Sequence, residues 1–285
     1  MTGRALVLGG GGVTGVAWEL GVLAGLAQQG TDLSGADLVV GTSAGSVVGA
    51  QLTSGVSVGE LYAAQLAPPG TEIAARMGPL AMLRFGWVLA RSRDPVQARA
   101  RFGRMALATR TVSPAERRKV IEASLPVADW PRQRLLITAV DAESGEFTAF
   151  DAASGAGLAD AVGASCAVPG VWPPASINGR RWIDGGMRSA ANADLAAECE
   201  RIVVIAPLVR GFRTMPSVAR QVARLRSAGS AVVVVSPDKA ALAAIGRNML
   251  DPARRGPAAR AGHAQAASVA ADVAAVWQEG TVTRP

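Results

Sequence analysis

Histidine is almost absent from this chain. There is one, His263, in 285 residues. A triad of the Ser-His-Asp or Cys-His kind therefore has a single candidate base, and His263 follows Arg260-Ala261-Gly262 in an Ala-rich stretch, where it reads as a surface or helix-capping residue. Cysteine is nearly as scarce. Cys166 and Cys199 have neither metal-ligand spacing nor the numbers of a disulfide framework, and they read as small buried residues in a reducing compartment. At 4% of the composition, aromatic side chains are too few to form a base-stacking surface, and no nucleic-acid motif is present, so nucleic acid is not an expected partner. No apolar run approaches 18 uninterrupted residues, which excludes an ordinary membrane-spanning helix. MTGRALVLGG also lacks the apolar core and cleavage site of a secretory signal. The expected location is the cytoplasm, with peripheral membrane contact as an addition. Nothing in the sequence calls for a cofactor or a metal.

What is present is apolar, small and unevenly charged. Hydrophobic residues make up 49% of the chain, enough for a substantial core in one domain spanning 1–285. Of the net charge of +7, the segment from Arg84 to Lys119 carries ten basic residues against Asp94 and Glu116, a local +8 that leaves −1 for everything else. Arg outnumbers Lys 27 to 2. Codon bias can choose between the two, but it does not gather them in one place.

Short apolar runs at 4–8, 37–41, 134–140, 201–206 and 230–235 alternate with helical patterns, the first helix running from about Val16 to Ala27. Residues 140–151 read as a hairpin around Ser144-Gly145. This rhythm predicts an α/β fold with a mainly parallel central sheet covered by helices on both faces. Residues 68–130 break it, with helical patterns and no clear strand, and read as a helical insertion or lid. Within it, Ser113-Pro114-Ala115-Glu116 is a capping box with Pro at the first helical position. From 237 to 285 the chain is Ala-rich and helical, with a loop expected near Arg254-Arg255-Gly256-Pro257.

Three motifs carry chemistry. Gly41-Thr42-Ser43-Ala44-Gly45 matches G-x-S-x-G between a strand and a helix, the setting that exposes a nucleophilic serine on a strained turn, with Gly41 and Gly45 letting strand and helix pass closely. Gly9 to Gly12, followed by Gly15, lets main-chain N–H groups converge on one point and can serve as an oxyanion hole. The same run also fits a dinucleotide-binding turn, but Asp37 precedes its strand and Asp32 lies in a loop, so neither stands where a ribose would be held. Arg181-Trp182-Ile183-Asp184-Gly185-Gly186 presents an acid at the end of an apolar run; by itself such a string is most often a turn. With no histidine at hand, a carboxylate must accept the serine proton, and it needs an apolar, partly closed site to raise its basicity.

Taken together, these motifs resemble the patatin-like phospholipase family. Gly10 to Gly15 followed by Gly21-Val22-Leu23, then G-x-S-x-G, then Ala164-Ser165-Cys166-Ala167-Val168-Pro169-Gly170, then Asp184-Gly185-Gly186 appear in that family's order over about residues 4–206. The resemblance implies a patatin-like three-layer sandwich and a hydrolase of lipid acyl esters. It implies Ser43 as nucleophile, Asp184 as base, and Gly10, Gly11 and Gly12 as the oxyanion region. After Asp184-Gly185-Gly186 the chain departs from the family, with Asn192 reached only after Met187-Arg188-Ser189-Ala190-Ala191. If Asp184 is not the base, Asp160 and Asp194 are next by proximity in sequence. An alternative on the same fold is a catalytically idle lipid-binding or regulatory protein. The apolar stretch Pro79 to Ala90, with the basic cluster after it, suits a segment at 79–119 that meets an anionic membrane; its competitor is a lid that buries its apolar face and solvates its arginines.

Overall fold

The computed structural model describes residues 3–68, 70 and 73–278. Eight strands form one sheet: β1 (Arg4–Leu8), β2 (Leu38–Gly41), β3 (Arg134–Asp141), β4 (Phe147–Phe150), β5 (Ala175–Ile177), β6 (Arg180–Asp184), β7 (Arg201–Ile205) and β8 (Ala231–Val235). The helices are α1 (Gly12–Gln28), α2 (Ala44–Leu52), α3 (Val58–Leu66), α4 (Pro79–Arg91), α5 (Pro95–Leu107), α6 (Pro114–Ser124), α7 (Leu158–Ser165), α8 (Val218–Ser227), α9 (Lys239–Ile245) and α10 (Arg255–Gln278). The sheet runs β5-β6-β3-β2-β1-β7-β8, with β4 also on β3. Pairings from β3 through β8 are parallel, and those involving β4, β5 and β6 are antiparallel.

Alternation along the strands sends side chains to opposite faces. Leu6, Leu8, Val39, Leu135, Ile137, Val203 and Ile205 pack with α1, α2, α7 and α10. Ala5, Val7, Leu38, Val40, Leu136, Ile202 and Val204 pack under α8 and the 193–199 segment. Near-continuous apolar runs are what a parallel sheet buried on both faces requires.

The register of β3 brings the expected site together. Ile137 pairs with Gly41 of β2 and Phe150 of β4, and Ala139 pairs with Thr148 of β4 and Asp184 of β6. A residue has one neighbour on each side, so β4 takes one side of β3 while β2 and β6 share the other. Parallel β2 and antiparallel β6 thus meet end to end. Gly41 and Asp184 project from positions two residues apart on β3, about 6.6 Å at the usual strand rise.

Four boundaries differ from expectation. Helix α1 begins at Gly12 rather than near Val16, because its first turn is fixed from outside: the Thr14 N–H and hydroxyl both donate to the Met249 carbonyl, at 3.1 and 3.3 Å. Tertiary bonds outweigh glycine's poor helix propensity here. No loop interrupts 254–257, since a short 3-10 turn at Pro252–Arg254 runs directly into α10. Pro257 falls in the first turn, where its missing N–H costs nothing. His263 accordingly lies within a helix rather than at its start. The antiparallel strands β5 and β6 extend the sheet past β3; only the apolar end of β6 was visible beforehand. Residues 68–130 carry α4, α5 and α6 and, among the described residues, no strand. Helix α5 is not superficial, however: Phe102, Ala106 and Val88 of α4 pack with Val140, Ala142, Ile183 and Met187.

Candidate active site

Ser43 is the residue between β2 and α2, at φ 52° and ψ −115°. Positive φ in a serine is strained and persists only where its surroundings over-determine it. Here they do. The Ser43 N–H donates to Ser165 Oγ at 2.8 Å, and its carbonyl accepts from Ser46 Oγ at 2.6 Å and Cys166 Sγ at 3.3 Å. The flanking glycines are required by space: a Cβ at Gly41 would lie 2.6 Å from Ser46 Cα, and one at Gly45 would lie 2.2 Å from the Leu8 carbonyl oxygen. Thr42, one step earlier, is gripped by Thr138 Oγ1 and by Asn192 Nδ2, each at 3.0 Å.

Asp184 ends β6 and is 2% exposed. Its carboxylate accepts the Gly186 N–H at 2.7 Å. Burial pushes its pKa up to about 7, against the opposing pull of the Ser43 hydroxyl, the Gly186 N–H and the Arg117 charge. This is the desolvated, more basic carboxylate that a serine without a histidine needs. Asp160 and Asp194 do not compete for that role, since Asp160 is paired with Arg118, and Asp194 with Arg188.

Two helices start at the site without a side-chain cap, α1 after Gly11 and α2 after Ser43. Elsewhere Ser57, Asp94, Ser113, Ser217 and Asp238 cap helix starts. Among the described residues the N–H groups of Gly11, Gly12 and Ala44 have no protein acceptor, and the positive ends of both helix dipoles converge beside Ser43. The N–H of Gly10 is different: it donates to the Ala190 carbonyl at 2.7 Å. Gly10 therefore supplies room beside Ser43 and not a free donor.

Ser43 opens into a cavity of about 560 Å³ whose walls include Val16, Val47, Leu61, Ile73, Ile121, Leu125, Trp172 and Leu250, a size typical of small-molecule sites, which span roughly 300–1,000 Å³. His263 is not among its lining residues. It contacts Gln28 Oε1 at 2.9 Å and stacks on Tyr62. Among the described residues no cluster of side chains is arranged to hold a metal.

The family model for patatin-like phospholipase matches residues 6–197. The chain belongs to the patatin-like phospholipase family. VipD from Legionella pneumophila is a similar solved structure, 13% identical, with a TM-score of 0.47, covering 95% of this chain and 67% of its own. The type III effector ExoU is 17% identical, with a TM-score of 0.40, covering 94% of this chain and 53% of its own. No curated protein matches the chain.

Several residues that build the site carried no separate signal in the sequence. Ser165 and Cys166 lay in a recognised block, but not as supports of the elbow. Asn192, the departure after Asp184-Gly185-Gly186, adopts φ 52° and ties that segment to Thr42. Glu19, fully buried on α1, accepts the Gly9 N–H at 3.0 Å behind the glycine loop, and burial raises its pKa well above the usual carboxylate range. Arg117 lines the cavity with its guanidinium 4.0 Å over the Trp172 ring.

Proposed function

We propose that the protein hydrolyses the acyl-ester bonds of phospholipids or lysophospholipids through an acyl-enzyme on Ser43. What supports this reading is a buried carboxyl group, its pKa raised to about 7, hydrogen-bonded to a serine that is held at φ 52° and lines a largely apolar cavity. A base of that pKa is half ionised near neutrality, the condition under which proton transfer is efficient. Asp184 takes the Ser43 proton as Oγ adds to the ester carbonyl. The N–H groups of Gly11, Gly12 and Ala44 hold the resulting oxyanion. The ester C–O bond then breaks, and the alcohol leaves with the proton from Asp184. Water, deprotonated by Asp184, attacks the acyl-serine; the Oγ–acyl bond breaks, Asp184 returns the proton to Ser43 Oγ, and the fatty acid leaves.

Contact with a membrane surface is part of the same proposal. Leu80, Leu83, Arg84, Trp87 and Arg91 fall on one face of α4 at helical spacing. Leu80 is 60% exposed, Leu83 71% and Trp87 55%, and of this helix only Val88 is buried. A lid closed over its own apolar face would bury those residues. Among the described residues no helix is long and apolar enough to cross a membrane, which leaves α4 the geometry of a helix lying in the interface. Arg84, Arg91 and Arg93 are exposed and available to anionic lipid, whereas Arg99 donates to the Gly145 carbonyl and Arg101 to Ser92 Oγ.

Incubation with a mixed lipid extract, followed by mass spectrometry of the products, tests the proposal. Wild type should release free fatty acids and lyso-lipids, and Ser43→Ala should release neither. Equal release by both would defeat it.

A further inference from the structure

Two charged side chains line the Ser43 cavity among the described residues, Arg117 and Arg255. Arg255 is occupied in holding the chain at the cavity wall, donating to the carbonyls of Ala67 and Pro68 at 2.9 and 3.0 Å. Arg117 is not. Its neighbour Arg118 pairs with Glu122 and Asp160, but Arg117 has no ion pair among the described residues, and its Nε is buried with no hydrogen-bond partner. The guanidinium carbon sits over the Trp172 ring, 4.0 Å from its centroid, and the charge is within electrostatic reach of Asp184. Burying a cation without its own carboxylate is costly, and stacking returns only part of that cost. A guanidinium placed over a ring face, with no carboxylate on its terminal N–H groups, can bind a phosphate through two hydrogen bonds. Arg117 also borders a second cavity of about 210 Å³, shared with Pro114, Asp160 and Pro174. It therefore stands on the wall between the space beside Ser43 and a second, smaller cavity.

We propose that Arg117 determines headgroup specificity: it binds the phosphodiester of a glycerophospholipid while the scissile ester, a few bonds away along the glycerol, sits at Ser43. This rests on the hydrolase reading above. It adds a residue that separates phosphate-bearing esters from neutral ones sharing the same acyl chain. Arg117→Lys, which keeps the charge but loses the paired guanidinium N–H groups, should restore only part of the function.

The test compares wild type, Arg117→Gln and Arg117→Lys on lysophosphatidylcholine and on the monoacylglycerol of the same chain, in identical mixed micelles, with p-nitrophenyl butyrate as a small neutral ester. Arg117→Gln should lower kcat/KM for lysophosphatidylcholine on the order of 10- to 100-fold, the worth of one or two charge-assisted hydrogen bonds. At a pH well above the midpoint of the profile both neutral esters should stay within about threefold, while that midpoint should move upward alike on all three substrates, since the Arg117 charge is one of the groups holding the Asp184 pKa down. Equal losses on all three substrates at that pH would make Arg117 a positioning residue for Asp184 and overturn the proposal. No loss on any substrate would overturn it as well. Oleate should inhibit wild type and Arg117→Gln alike; loss of oleate inhibition with headgroup preference intact would assign the site to the product carboxylate instead. A wild type that cleaves none of the three esters defeats the hydrolase reading itself, whereas one that cleaves p-nitrophenyl butyrate without headgroup dependence on Arg117 defeats this inference alone.

Discussion

Helices α1 and α4 are both apolar, yet the fold treats them in opposite ways. Helix α1 is buried on nearly every side, with Trp18, Leu20 and Leu26 fully enclosed. It lies so close to α10 that a Cβ at Gly21 would come 2.1 Å from the Ala259 carbonyl oxygen, and one at Gly262 would come 2.3 Å from that of Trp18. Helix α4 carries Leu, Met, Phe and Trp and leaves most of them in solvent. Small residues let a helix approach others closely and become part of the site's foundation. Large apolar residues interleaved with arginine, on a helix with few partners, leave a face for something outside the chain. The first helix positions the glycine loop beside Ser43; the second is the one the proposed function assigns to the lipid surface.

The sharpest way to break this contrast is at the floor of the site. Ser43→Ala and Asp184→Asn should each cost about 10³-fold or more in kcat/KM for ester hydrolysis, and the double variant should lose no more than either single one, as groups acting together do. Assays on folded protein, verified by circular dichroism, would show this; multiplying losses would break the dyad. Asp184→Asn should at the same time stabilise the fold. A carboxyl whose pKa rises from 3.8 to about 7 on folding supports the native state fully below pH 3.8 and loses that support as pH climbs through 7. Denaturation of the variant at pH 8 should therefore show a gain on the order of 2–4 kcal/mol over wild type, shrinking as pH falls towards 4. Wild-type kcat/KM should rise with pH across a midpoint near 7.

Packing gives the next test. Gly45→Ala forces a Cβ against the Leu8 carbonyl and should cost about 1–3 kcal/mol in urea denaturation, whereas Leu83→Ala on α4 should change stability by no more than about 0.5 kcal/mol. Vesicle binding should reverse that ranking. Replacing Leu80, Leu83 and Trp87 by Ser should abolish flotation with anionic liposomes, and Arg84, Arg91 and Arg93→Gln should weaken it and reduce its salt sensitivity. Unchanged flotation in both sets would remove α4 from the account. The smallest expected effect is His263→Ala, which breaks the Gln28 contact and the Tyr62 stack but should leave turnover within about twofold, since no reacting group depends on it.

Much of this was legible in the residues themselves. The parallel strands read as β-branched runs because both faces of the sheet are covered, and Gly41, Ser43 and Gly45 read as an elbow because that turn tolerates little else. The end-to-end meeting of β2 and β6 was not legible. It depends on which side of β3 each strand takes, a matter of register between segments far apart in the chain. The supports of the elbow, Ser165 and Asn192, were hidden for the same reason, being local in space and remote in sequence. The tied N–H of Gly10 illustrates the limit within a single motif. A run of glycines shows that backbone can converge on a point, while the acceptor at Ala190 decides which N–H remains free. The stretch at 79–119 read equally as lid or membrane contact, because exposure is set by neighbours and not by a segment's own composition.

The most direct measurement of the central claim is the reaction of the protein with a fluorophosphonate, located by peptide mass spectrometry and followed against pH. A single adduct on Ser43, forming faster as pH rises through about 7 and strongly slowed in Asp184→Asn, is the predicted result. No adduct, an adduct on another serine, or labelling of Asp184→Asn at the wild-type rate would contradict it.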